Sequence, residues 1–215
     1  MSNLYPLIER EVRLAWSGGN LWMPIIFFVS IAILFPFAVG PDAKILAITG
    51  GGVLWIAALL AALLPMERLI LPDYENGFLD QLVVRGYSDE WIAIAKIIGH
   101  WFAFGPPLVI ASLFAAALVG LDDGKMGLVV LGLIIGTPAL AGLGVTVSAL
   151  TAGLNGAAAI GGLLLVPLAI PILIFGAASI SPEPGNALQL LIAASLAITL
   201  LSPFAAGAAL RALRE

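Results

Sequence analysis

The chain has 215 residues, of which 61% are hydrophobic and only 10% are charged, with a formal charge of −4 and no cysteine. So little polar surface cannot coat a soluble globule, so the bilayer is the expected solvent. Disulfides, thiolate metal sites and cysteine nucleophiles are excluded outright.

In chain order, the first element starts near Leu4. Leu4, Leu7, Ile8, Val12, Ala15 and Trp16 recur at helical spacing, opposite Glu9, Arg10 and Arg13. This pattern predicts an amphipathic helix lying in the membrane interface within residues 1–20. It lacks the basic start and apolar run of a cleavable signal. Glu11 falls inside the apolar arc and is expected to be solvated at the headgroups, the alternatives being a basic partner or a protein neighbour.

Apolar runs near 21–40, 45–66, 91–120, 126–150, 157–180 and 187–209 follow. Each suffices for a transmembrane helix, which takes about 20 residues, and the alternation of a barrel strand is absent. Six spans in a single domain are therefore predicted, with no soluble domain between them. Gly105-Pro106-Pro107 in the third run predicts a kink or a break, and Pro167 and Pro171 a bend in the fifth. Glycines along the fourth and fifth runs, among them Gly136, Gly142, Gly144 and Gly161, predict close helix approach. Lys96, just inside the third span, is expected to snorkel to the interface or to pair with Glu67 or Glu90.

With the N-terminus cytoplasmic, Arg10, Arg13, Arg68, Arg85, Lys96, Arg211 and Arg214 lie on the inner side, and only Lys44 and Lys125 lie outside. Both termini and the 67–90 segment are then cytoplasmic. Within that segment Pro72 and Asp73 suit a helix start. From Tyr74 onward, Phe78, Leu79, Leu82 and Val83 fall on one side, with Glu75, Asp80 and Gln81 on the other. The expectation is a short cytosolic helix between spans two and three whose apolar face needs a docking surface.

The wording of "MERLILPDYENGFLDQL" resembles the Glu-Arg-Leu and Gly-x-Leu-x-Gln-Leu pattern of exporter-type ABC permeases. The stretches "LFPFAVGP", "LWIAALLAALLPMERL", "AKIIGHW", "GTPALAGLG", "VPLAIPILIF" and "LSPFAAGAALR" resemble, in order and over nearly the whole chain, the cytochrome c maturation protein B family. This resemblance implies an all-α membrane protein with the exporter-type ABC permease fold in the bacterial inner membrane. It also implies a place in haem export or delivery to a periplasmic haem chaperone. The implied partners are a soluble ABC ATPase, a tryptophan-rich haem-handling membrane protein, a small single-span membrane protein and a second copy of the chain. By the same resemblance Glu67, Arg68, Glu75, Gly77, Leu79, Gln81 and Leu82 are the ATPase-contacting set, with Glu11 as a further member. The alternatives are a permease of this fold exporting another substrate and a non-transporting scaffold.

A division of labour is visible in the residues themselves. ATP binding takes a Gly-x-x-x-x-Gly-Lys-Ser/Thr loop whose amides and lysine cradle the phosphates. The nearest match, Gly120-Leu-Asp-Asp-Gly124-Lys125-Met126, is one residue short and ends in Met. Hydrolysis is therefore expected on a partner subunit, with no cofactor bound directly by this chain. His100, the one histidine, is the candidate haem-iron ligand, weighed against a polar anchor beside an interfacial Trp101. The scattered tryptophans, and methionines lying at span ends, favour the anchor. No carboxylate lies deep in a span, which disfavours an intramembrane hydrolase or an ion-coupled carrier, and nothing suggests a nucleic-acid partner.

Overall fold

In a computed structural model, residues 4–17, 22–40, 42–181 and 183–215 are described. The predicted start of the first span at residue 21, and Pro41 and Pro182 of two outer loops, lie outside them. The elements are α1 (Tyr5–Ser17), α2 (Trp22–Val39), α3 (Ala43–Leu63), α4 (Glu67–Glu75), α5 (Phe78–Val84), α6 (Asp89–Leu118), α7 (Asp123–Thr151), α8 (Ala157–Ala178) and α9 (Ala187–Arg214). Among the described residues there is no strand, and six helical segments are long and apolar enough to cross a membrane. The chain is an all-helical, multi-pass membrane protein. Its spans are α2, α3, α6, α7, α8 and α9, with the apolar run of α3 continuing into α4.

Several helix starts follow from local chemistry. Asp42, Ser88 and Asp122 each accept from backbone amides in the first turns of α3, α6 and α7, satisfying donors that have no intrahelical partner. The Gly105-Pro106-Pro107 stretch does not break the third span, because α6 continues through it as helix. Trp101, read from sequence as a possible belt residue, instead turns inward and donates from Nε1 to Thr137 Oγ1 on α7 at 3.0 Å.

The centre of the bundle is α7, the most buried span, with every residue from Ala139 to Ala149 buried. Its small residues let neighbouring backbones come close, and van der Waals packing is what drives helix association where lipid is as apolar as leucine. Ser195 of α9 donates to the Ile135 carbonyl of α7, and Thr146 of α7 to the Ser202 carbonyl of α9 at 3.4 Å. Helices α2, α8 and α9 form the outside, and their exposed Phe37, Leu163, Leu200 and Phe204 are what a lipid-facing surface requires.

Helix α1 packs along the start of α6. Leu7 is buried while Tyr5, Leu14 and Trp16 stay exposed, so the helix serves the protein with one face and leaves an amphiphilic face for the interface. At the other end of the chain, Arg214 bonds Asp89 and lies 3.9 Å from Asp80, and Arg211 Nη2 donates to Glu90 Oε1 at 2.9 Å. The end of α9, the start of α6 and the α4–α5 segment therefore share one side of the bundle. Asp89→Asn is expected to loosen the end of α9, costing about 1.5–3 kcal/mol, as hydrogen bonds to charged groups contribute. Carboxypeptidase trimming of the purified protein, faster in the variant, would check this.

Candidate functional site

The α4–α5 segment is built differently from the single helix expected to start at Pro72–Asp73. Helix α4 begins at Glu67 with Pro72 inside it, and a turn at Asn76–Gly77 separates it from α5. Gly77 has φ +64°, a left-handed conformation that a side chain disfavours, so it breaks the helix. The Asn76 side chain reinforces the turn by donating to the Pro72 carbonyl at 2.7 Å.

This break decides which residues face outward. Glu67, Arg68, Glu75 and Gln81 are exposed, and Gly77 is half-buried. Leu79 and Leu82, read from sequence as a face awaiting a partner, are 2% and 3% exposed and belong to the chain's own core. That expectation is corrected: the docking surface of α5's apolar face is the protein itself. What remains open is the tip, where Val84 is 88% exposed and Val83 38%. Asp80, Gln81 and Arg85 surround it and are likewise exposed.

Next to α4 lies a charge cluster. Lys96 Nζ, its side chain 3% exposed, sits 2.6 Å from Asp73 Oδ2, 2.9 Å from the Leu69 carbonyl and 3.4 Å from Glu11 Oε2. Arg10 completes the set, donating to Asp73 Oδ1 at 2.7 Å and to Glu11 Oε1 at 2.5 Å. Its guanidinium also lies 3.8 Å from the centroid of the Phe78 ring, a cation–π contact to α5. Burial disfavours the Arg10 cation, but bonding and attraction from Asp73 and Glu11 outweigh it and hold the group above its ordinary value.

These placements revise two expectations. Lys96 neither snorkels nor pairs with Glu67 or Glu90; its partners are Asp73 and Glu11, while Glu90 goes to Arg211. Glu11 is not solvated at the headgroups but turned into the protein, its Cβ lying 2.5 Å from where a side chain on Gly99 would begin. The signal for the cluster was present in part. Leu69 and Asp73 are four apart on α4 and so share a face, as do Lys96 and His100 on α6.

A cleft of about 420 Å³ opens beside the cluster, its walls including Arg10, Glu11, Asp73, Lys96 and His100. His100 is 3% exposed, with Phe104 4.8 Å away ring to ring and Nε2 directed at Gly144, where an added Cβ would come within 3.0 Å. Neither ring nitrogen has a hydrogen-bond partner. Both are buried, on a ring that forms part of the cleft wall. Among the described residues no group of His, Asp and Glu is arranged to hold a metal ion.

Comparison with known proteins adds the lineage of this arrangement. The family model described as CcmB protein matches residues 2–213. The chain is 39% identical to Heme exporter protein B of Bradyrhizobium diazoefficiens, covering 98% of each chain. It is 39% identical to Heme exporter protein B of Haemophilus influenzae over 95% of this chain and 96% of that one. The protein of the same name from Pseudomonas aeruginosa is 37% identical over 98% of both. A match this complete, on a bundle with the predicted number of spans, leaves one conclusion: the chain belongs to the CcmB protein family.

Proposed function

We propose that the chain is the membrane permease subunit of a haem-exporting assembly of cytochrome c maturation in the bacterial inner membrane. Both termini and the α4–α5 segment face the cytosol, and a partner ATPase docks on that segment. Family membership supports the haem-export part, since the relatives carry the name Heme exporter protein B. The observation that carries the ATPase part is the tip of α5: an exposed Val84 within a polar surround, on a segment tied to the bundle by ion pairs. Exposed apolar side chains rimmed by polar ones mark protein contact sites. Glu67, Arg68, Glu75 and Gln81 extend the exposed surface, whereas Leu79 and Leu82 support it from beneath. Glu11 acts through the charge cluster and not by direct contact.

On this reading haem is the cargo of the complex, shared with a tryptophan-rich haem-handling membrane protein, a small single-span protein, a periplasmic haem chaperone and a second copy of this chain. ATP is held and hydrolysed by the partner, so the chain is a transport subunit and no enzyme.

The test is co-purification of the tagged chain from its native membranes with partners identified by mass spectrometry. Val84→Asp is expected to lower recovered ATPase about five- to thirtyfold, the effect of removing one contact worth about 1–2 kcal/mol, with the yield of folded chain unchanged. Leu79→Asp is expected to fail differently, by loss of the folded chain itself. Full ATPase recovery with Val84→Asp, or no ATPase with the wild type, would return the segment to a surface without a partner and favour the scaffold alternative.

A further inference from the structure

Helices α1 and α4 share little backbone contact, and the cleft lies between them. What joins them is charge. Arg10 and Glu11 from α1 meet Asp73 from α4 and Lys96 from α6, and Arg10 alone touches α4 through Asp73 and α5 through Phe78. At Glu11 itself α1 is fitted to α6, since a side chain on Gly99 would collide with that residue. The first helix thus rests on a span by close backbone packing and holds the α4–α5 segment by a bridge over open space.

Three details make this bridge more than a surface ion pair. Lys96 is almost wholly buried, and its three oxygen partners come from two different helices, neither of them its own. A buried ammonium is tolerated only with such partners, so the positions of α1 and α4 are both fixed by one group. Pro72 cannot donate to the Arg68 carbonyl one turn before it, which loosens α4 next to the Leu69 carbonyl that Lys96 binds. The charges in the four-membered cluster also balance, so it needs no further ion to close it.

We propose that this cluster is a joint that makes α1 part of the docking apparatus, so that α1, α4 and α5 move as one body and Lys96 is its positioning residue. The proposal rests, for its coupling part, on the reading of α5 as an ATPase contact. A displacement of α5 by the partner would then be delivered to the start of α6 through Lys96 and to the membrane interface through α1. Asp73 is the residue whose loss uncouples the parts, because it is the cluster's carboxylate on α4 and contacts both cations, whereas Glu11, which also meets both, belongs to α1.

The absence of cysteine allows the joint to be read directly. Arg13→Cys on α1 and Asn76→Cys in the α4–α5 turn, both exposed, carry spin labels in the full-length chain reconstituted in nanodiscs, and double electron–electron resonance reports their separation. A narrow distribution is expected, unchanged when the partner binds a non-hydrolysable ATP analogue. Asp73→Asn is expected to broaden it and add a longer-distance population, and Asp73→Glu to restore the narrow one. In the complex, Asp73→Asn is further expected to retain bound ATPase yet lose hydrolysis about tenfold, the scale of coupling between contacting charges. A separation that changes with nucleotide, or keeps its wild-type width in Asp73→Asn, overturns the joint. Because the labels are read in the chain alone as well as in the complex, failure to recover any ATPase would sink the docking reading while leaving the joint to stand or fall on its own result.

Discussion

Placing any side chain at Gly176 is expected to abolish accumulation of the folded protein. Trp55 of α3 is 1% exposed and its indole fills a pocket walled by glycines of two other spans. A Cβ at Gly136 would lie 2.6 Å from the ring, one at Gly132 3.1 Å, and one at Gly176 closer than either. The ring cannot retreat, since it is held from α7 and α8 together. Overpacking a filled interior costs about 1–3 kcal/mol and more where neither side can shift. In a bundle assembled by packing alone, that strain separates helices. Gly176→Val should therefore give aggregated protein by fluorescence-detected size exclusion. Trp55→Leu alone should cost less, and combined with Gly176→Val it should recover a monodisperse peak, because the larger residue then occupies the space the indole vacates. Equal aggregation of the single and double variants would show that Trp55 is not the obstruction.

Lys96→Ala is the second large effect. Removing one partner from a buried ion pair costs about 3–5 kcal/mol, because the remaining charges are left unpaired. Here two carboxylates, Asp73 and Glu11, lose the same cation while retaining only the half-exposed Arg10. The expected result is a fall in thermal midpoint in detergent together with protease cleavage between α4 and α6, where the segment comes free. Arg13→Ala provides the contrast. Its pair with Glu9 is exposed on both sides and should contribute no more than about 0.5 kcal/mol. If both substitutions change stability alike, the cluster contributes nothing beyond an ordinary surface pair.

The two sites are legible in the sequence to different degrees. Lys96 stood out as a cation inside an apolar run, and Glu11 as an acid inside an apolar arc, yet nothing local related them. They are 85 positions apart and meet only because α1 folds back along α6. Asp73 was read as helix-start chemistry, since a carboxylate after a proline suits that role, and only the placement of α4 reveals it as the partner of two cations. The spacing of the α7 glycines marks them as close-approach positions, but that Gly176 of α8 and Gly136 of α7 accommodate one tryptophan of α3 is not contained in spacing.

The sequence by itself determined the class, the number of spans and the amphipathic first helix, because hydropathy and period are properties of neighbouring residues and lipid admits few solutions for the backbone. It also carried the family, through short stretches in fixed order. The tertiary structure decided where the α4–α5 segment bends, which of its leucines are covered, and which acids meet Lys96. Those outcomes depend on a left-handed glycine and on contacts between helices distant in the chain, and burial of a side chain is a property of its surroundings that no local pattern contains.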